Sequence, residues 1–148
     1  MLCFSRWDVQ QVFVDAMKIA GLNVKSCVVW DRVAHGMGDL KSAFAPCHDV
    51  AIFATKGKYE FPRKRPKDVL RHPRVPSNKL VHPNEKPVEL MEEIIGYTTR
   101  VGDVVLDPFT GSGSTIEAAA RMGRGYIGIE INERYCEIAR ERVRNGSE

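Results

Sequence analysis

Val104-Val105-Leu106-Asp107-Pro108-Phe109-Thr110-Gly111-Ser112-Gly113-Ser114-Thr115 is the stretch whose reading decides the fold of this 148-residue chain. Its first four residues form an apolar run that closes on an aspartate, as a buried strand does. Gly111 and Gly113 then permit backbone dihedrals closed to other residues and let a ligand approach the main chain. Apolar spacing predicts a helix over 115–122, a second strand over 126–130 and a second helix over 133–144. In that last helix Tyr135, Ile138, Ala139 and Val143 form the stripe expected to be buried. Strand, loop, helix, strand and helix in this order predict a parallel α/β sheet. The glycine loop then lies at the carboxyl edge of the sheet, where open α/β folds bind ligands.

The chemistry of the loop narrows the ligand. The second strand ends in Glu130, where a carboxylate can accept hydrogen bonds from both hydroxyls of a ribose. A Walker A loop would end in Gly-Lys-Ser/Thr, but here the residues are Ser114-Thr115-Ile116. A dinucleotide fingerprint would carry a third glycine where Ile116 stands, so a nicotinamide dehydrogenase is a weak reading. Asp107 would repel a pyrophosphate but tolerates a cation. S-adenosylmethionine, with a sulfonium, an ammonium and no phosphate, suits that charge. The plain alternative is a turn that only joins strand to helix.

Working outward, Pro87 is expected at the first position of a helix whose apolar face is Val88, Met91, Ile94 and Ile95. Residues 58–83 hold five prolines and few large apolar side chains, and read as a loop or extended arm. Near the start, Asp8 is expected to cap a helix with Val9, Val12, Phe13, Ala16 and Ala20 at helical spacing, ended by Gly21. Residues 24–30 and 50–54 read as strands, separated by an irregular connection through Gly36, Gly38 and Pro46.

Composition is that of a soluble globular chain, 43% hydrophobic and 28% charged. No apolar run approaches the roughly 20 residues of a membrane span, and the first residues lack a signal-peptide layout. Cys3, Cys27, Cys47 and Cys136 form no close pair, so no zinc site is expected; buried thiols in a reducing cytosol are, and the expected location is cytoplasmic. The net charge of +3 is uneven, because residues 56–79 alone contribute +7. A basic island of Arg63, Lys64, Arg65, Lys67, Arg71 and Arg74 on an otherwise acidic chain suggests a polyanion partner; a solvated basic loop is the alternative.

Residues 107–113 resemble the cofactor loop of the β-type amino-methyltransferases of DNA, which act on adenine N6 or cytosine N4. His82-Pro83-Asn84-Glu85-Lys86-Pro87 resembles the family's other cofactor motif, usually His-Pro-Thr-Glu-Lys-Pro, with Asn84 in place of threonine. Tyr126-Ile127-Gly128-Ile129-Glu130 is similar to its ribose-binding strand. The lysine-proline motif precedes the glycine loop, as in this permuted group. A looser likeness covers Phe4-Ser5-Arg6-Trp7, Val28-Val29-Trp30-Asp31-Arg32 and His48-Asp49-Val50-Ala51-Ile52-Phe53, with the tryptophans read as packing residues.

The resemblance implies a Rossmann-like class I methyltransferase α/β sheet with S-adenosylmethionine as cofactor and DNA as substrate. Lys86 and Pro87 would border the methionine end. Asp107, Pro108, Phe109, Thr110, Gly111, Ser112 and Gly113 would wrap the methionine and ribose, Glu130 would hold the ribose hydroxyls, and Ile131 would pack on the adenine. Lys86 as a solvated helix-start lysine and Ile131 as ordinary core are the alternatives.

No catalytic residue is expected. The family's Asp/Asn/Ser-Pro-Pro-Tyr/Phe loop, which orients the target amine and stacks on the flipped base, has no counterpart, since the chain contains no Pro-Pro pair. The expectation is therefore one partial methyltransferase domain over 1–148: substrate-side elements over 1–55, a basic loop over 56–81 and a cofactor-binding part over 82–148. Its sheet would lack the central strands that carry the catalytic loop. Three explanations follow: a fragment of a longer enzyme, a degenerate product, or one half of a split enzyme completed by a second chain. Uncovered sheet edges would favour a homodimer or a swapped oligomer. An inactive cofactor- or DNA-binding module, or an RNA or protein methyltransferase, are the other readings.

Overall fold

The computed structural model describes residues 1–37 and 39–146. The chain divides into two compact units. The first comprises Met1–Glu60 with Pro66–Pro73, and the second comprises Phe61–Arg65 with the chain from Arg74 onward.

In the first unit, strand β1 (Leu2–Ser5), helix α1 (Gln10–Ile19) and strands β2 (Asn23–Asp31), β3 (His48–Thr55) and β4 (Val69–Arg71) follow one another. The sheet order is β1-β3-β2-β4. β3 pairs antiparallel with β1 and β2, while β4 adds to β2 in parallel. β3 is central and its residues 50–55 are all buried, as its continuous apolar run requires. Met17, Ile52 and Ala54 form the core beneath α1, with Cys3, Val14, Leu22 and Val24 packed around them.

Several local expectations give way here. Asp8 does not cap α1; the cap position is Val9, without a side-chain bond, and Asp8 is bound to Arg6 instead. The expected apolar stripe of α1 is also the wrong face. Val12 is 69% exposed, whereas Met17 is buried and Val14 half-buried. Val12, Phe13 and Ala16 on one side and Val14 and Met17 on the other offered two apolar stripes, and packing on Ile52 and Ala54 took the one bearing Met17. Within the proline-rich arm, Val69–Arg71 forms an edge strand paired with β2, and its Leu70 is buried. Trp30, also buried, ties the same arm down by donating from Nε1 to the His72 carbonyl at 2.8 Å. Trp7 is 75% exposed and does not pack as expected. The four cysteines are free, with Cys27 and Cys47 exposed instead of buried.

In the second unit, helix α2 (Val88–Thr98) is followed by strand β5 (Val104–Asp107), helix α3 (Ser114–Arg121), strand β6 (Gly125–Gly128) and helix α4 (Glu133–Gly146). β5 and β6 pair in parallel, Val104 opposite Gly125 and Asp107 opposite Gly128, as the strand-helix-strand order predicts. Pro87 is the residue before α2 and not its first: its ψ of 138° is extended. Leu90, Met91 and Ile95 give α2 its buried face. Ile116, Ala139 and Val143 knit α3 to α4, with Tyr135 and Ile138 only half-buried. Buried Arg124 joins the start of β6 to the end of α2, donating to the Thr99 hydroxyl at 3.0 Å and the Thr99 carbonyl at 3.1 Å.

Candidate functional site

The glycine loop is built from its ends inward. Ile129 N–H donates to the Asp107 carbonyl at 2.9 Å and Thr110 N–H donates to the Ile129 carbonyl at 3.0 Å, so the loop continues the β5–β6 ladder past the strands. The Asp107 carboxylate accepts from Phe109 N–H at 3.0 Å, which turns the chain away from the strand. Gly113 N–H then closes on the Thr110 carbonyl at 2.9 Å.

Each glycine has a distinct reason. Gly113 has φ +93° and precedes α3; a Cβ there would lie 2.7 Å from Ala139 Cβ and 2.8 Å from its Cα. Only glycine lets α4 come this near the loop. Gly111 has φ +53°, and a Cβ would meet the His82 ring at an ordinary 3.5 Å. Residues 110–114 are buried, while Phe109 is 88% exposed. Thr110 Oγ1 is buried without a hydrogen-bond partner.

Glu130 lies two residues beyond β6. Its Oε2 accepts the Gly111 N–H at 3.0 Å and its Oε1 accepts the Asn132 N–H at 2.9 Å. The Asn132 N–H above all, joined by those of Gly111 and Ile131, prevails over desolvation by burial and holds the carboxyl below the usual glutamate range. Both oxygens are thus aimed, and each keeps a lone pair for a further donor. Ile131 is fully exposed and not part of the core.

The His82–Lys86 segment reaches the same loop through His82. Its ring packs edge-on against Tyr135 of α4, with centroids 4.6 Å apart, and borders Gly111 on another side. Its Nδ1 accepts from Asn84 N–H at 3.1 Å, and Lys86 Nζ donates to the Asn84 carbonyl at 3.4 Å. Pro87 is buried. Glu85 is folded inward beside Arg142. Burial pushes its carboxyl up, but the Arg142 guanidinium and the Val81 and His82 N–H groups prevail and hold it below the ordinary value.

The structure therefore brings His82, Gly111 and Glu130 together, and every cofactor candidate lies in the second unit. His82, Tyr135 and Arg142 were not assigned to the site from sequence. The position of His82 at the head of its motif was the available signal for it; Tyr135 was read only as part of the helix's apolar stripe, and nothing local marked Arg142. The basic residues fall on both units: Arg63, Lys64, Arg65 and Arg74 on the second, Lys67 and Arg71 on the first. All six are exposed, and Arg71 sits 3.4 Å from the Asp31 carboxylate.

An α/β chain whose glycine loop follows a parallel strand and whose next strand leads to an acid has the Rossmann-like fold of class I methyltransferases, with an incomplete sheet. The chain belongs to the DNA methylase family of N6 and N4 type, whose family model matches residues 1–141. It is 36% identical over 144 residues to YubD of Escherichia coli (strain K12), whose name is that of a methylase; the match covers 97% of this chain and 61% of YubD. The Type II methyltransferase M2.DpnII of Streptococcus pneumoniae is 50% identical over 62 residues, covering 42% of this chain and 23% of that protein. Among solved structures, the M1.HpyAVI-SAM complex superposes with a TM-score of 0.84 at 28% identity, over 97% of this chain and 73% of that one. The cytosine-N4-specific PvuII DNA methyltransferase, at 18% identity and a TM-score of 0.71 over 93% of this chain and 63% of its own, shares the fold. The chain thus spans less than two thirds of the length of the curated relatives it matches.

Proposed function

We propose that this chain is the cofactor-binding part of a DNA amino-methyltransferase that takes S-adenosylmethionine and acts on adenine N6 or cytosine N4. The observation that carries the reading is the Glu130 carboxylate, held by Gly111 and Asn132 N–H groups across a glycine loop. An oriented carboxylate with lone pairs to spare suits a ribose diol. A loop with Asp107 at its head and no lysine suits a cationic, phosphate-free ligand.

In this reading Glu130 holds the ribose, residues 107–113 enclose the methionine and ribose, Lys86 and Pro87 border the methionine end, and exposed Ile131 lies against the adenine. Bound S-adenosylmethionine would supply an electrophilic methyl group for the exocyclic amine, with a thioether as leaving group and loss of the amine proton. This chain's own residues bind and orient. The family's amine-orienting Pro-Pro loop has no match within these 148 residues, and the alternative reading is a cofactor- or DNA-binding module that needs another chain for transfer. The six basic residues then serve as sequence-independent phosphate contacts. The uncovered strands β5 and β6 favour pairing with a second copy or with the chain that brings the catalytic loop. Such a protein works where DNA is, in the cytoplasm.

Calorimetric titration with S-adenosylmethionine tests the reading. The chain is expected to bind it and not NAD, with Glu130→Ala about tenfold weaker or worse for the loss of charge-assisted hydrogen bonds. Preference for NAD, or indifference to Glu130→Ala, would sink the assignment. Methyl transfer to duplex DNA by the purified chain separates an active enzyme from the module.

A further inference from the structure

Tyr135 and Arg142 are seven residues apart on α4, a spacing that puts both on one face of a helix. Both grip the same segment. Tyr135 holds the His82 ring, and the Arg142 guanidinium pairs with Glu85. The Glu85 side chain is only 4% exposed and that of Arg142 20%. The other oxygen of Glu85 accepts the Val81 N–H at 3.0 Å and the His82 N–H at 3.3 Å. Arg142 also donates to the Ser114 hydroxyl at 3.3 Å, the first residue of α3, and lies 3.9 Å from Glu117.

We infer that Arg142 is a positioning residue for the cofactor site: through Glu85 it sets the backbone of residues 81–86, and with it the His82 ring against Gly111 and the placement of Lys86. This rests on the cofactor reading above. Two physical points favour positioning over bulk stability. A buried ion pair adds little net stability compared with a well-packed apolar pair, yet its geometry is demanding. A guanidinium presents a planar fork, so its two terminal nitrogens reach Ser114 and Glu85 separately; an ammonium donates from a single nitrogen and does not fix that geometry. The pair is also remote in sequence and joins the end of α4 to a segment that has no regular structure of its own.

The test compares the whole chain with Arg142→Lys, Arg142→Met and Glu85→Gln, by amide hydrogen exchange without ligand and by S-adenosylmethionine titration. The Val81 and His82 amides are expected to exchange about tenfold faster in Arg142→Lys, while amides of β3 in the other unit stay unchanged. Affinity is expected to fall about tenfold, and the double variant Glu85→Gln/Arg142→Lys to lose no more than either single one. A purely structural role would lower the melting temperature without this local signature or this non-additivity. Arg142→Lys with wild-type exchange at Val81 and His82 overturns the inference. If exchange responds but the wild-type chain binds no S-adenosylmethionine, the clasp stands as an ordering device and the cofactor assignment falls. Should Arg142→Met fail to fold, Arg142→Lys carries the comparison.

Discussion

Gly113 shows how much a single residue can decide. Its φ of +93° alone disfavours a side chain, and the missing Cβ would overlap Ala139 at 2.7 Å. Gly113→Ala is expected to destabilise by roughly 2–5 kcal/mol, combining left-handed strain with overpacking. Gly111→Ala meets the His82 ring only at 3.5 Å and should cost roughly 1–2 kcal/mol, from strain alone. Urea unfolding followed by circular dichroism distinguishes the two. Equal losses would mean that close approach of α4 is not what Gly113 provides. Both glycines and Glu130 were legible in the sequence, because a loop between strand and helix needs special dihedrals that few residues supply. The partners of Glu130 were not legible, since Gly111 and Asn132 meet it only once the loop closes.

At the scale of elements, α1 carries the clearest lesson. Its length and its end at Gly21 follow from spacing and from the glycine's φ of +74°. Its buried face does not, because two apolar stripes compete and packing on β3 decides between them. Met17→Ala should therefore cost roughly 2–5 kcal/mol. Ile19→Ala, at a site 88% exposed, should change stability by less than about 0.5 kcal/mol. Both tryptophans lie in this unit, so denaturant unfolding followed by their fluorescence reports on it. A large loss at Ile19 with none at Met17 would reverse the face assigned to α1. β4 illustrates the same limit. Three residues inside a proline-rich arm carry no strand signal, and Val69–Arg71 becomes a strand because β2 offers an open edge and Leu70 is buried there.

For the whole molecule, the decisive feature is a two-stranded parallel sheet whose Val104, Leu106 and Ile127 are each more than half exposed. Parallel sheets are normally covered on both faces, and open edges invite pairing. The chain should self-associate in a concentration-dependent way by sedimentation, and Leu106→Lys with Ile127→Lys should shift it toward monomer. A monomer at every concentration would remove this proposal. If the basic residues contact phosphates, replacing Arg63, Lys64 and Arg65 by alanine should reduce the slope of log affinity against log salt by roughly 2–3. An unchanged slope would leave them as a solvated loop.

By itself the sequence determined the second unit's strand-helix order, its parallel pairing, the glycine loop and the family. These depend on local periodicity, on glycine dihedrals and on motifs that are contiguous in the chain. Only the tertiary structure decided which stripe of α1 is buried, that Asp8 binds Arg6 and does not cap a helix, that two cysteines are exposed, and that α4 holds the His82–Lys86 segment through Tyr135 and Arg142. Each of these is a choice among partners far apart in sequence. Periodicity offers several partners at similar cost, and burial of charge and apolar surface selects among them only after the chain has folded.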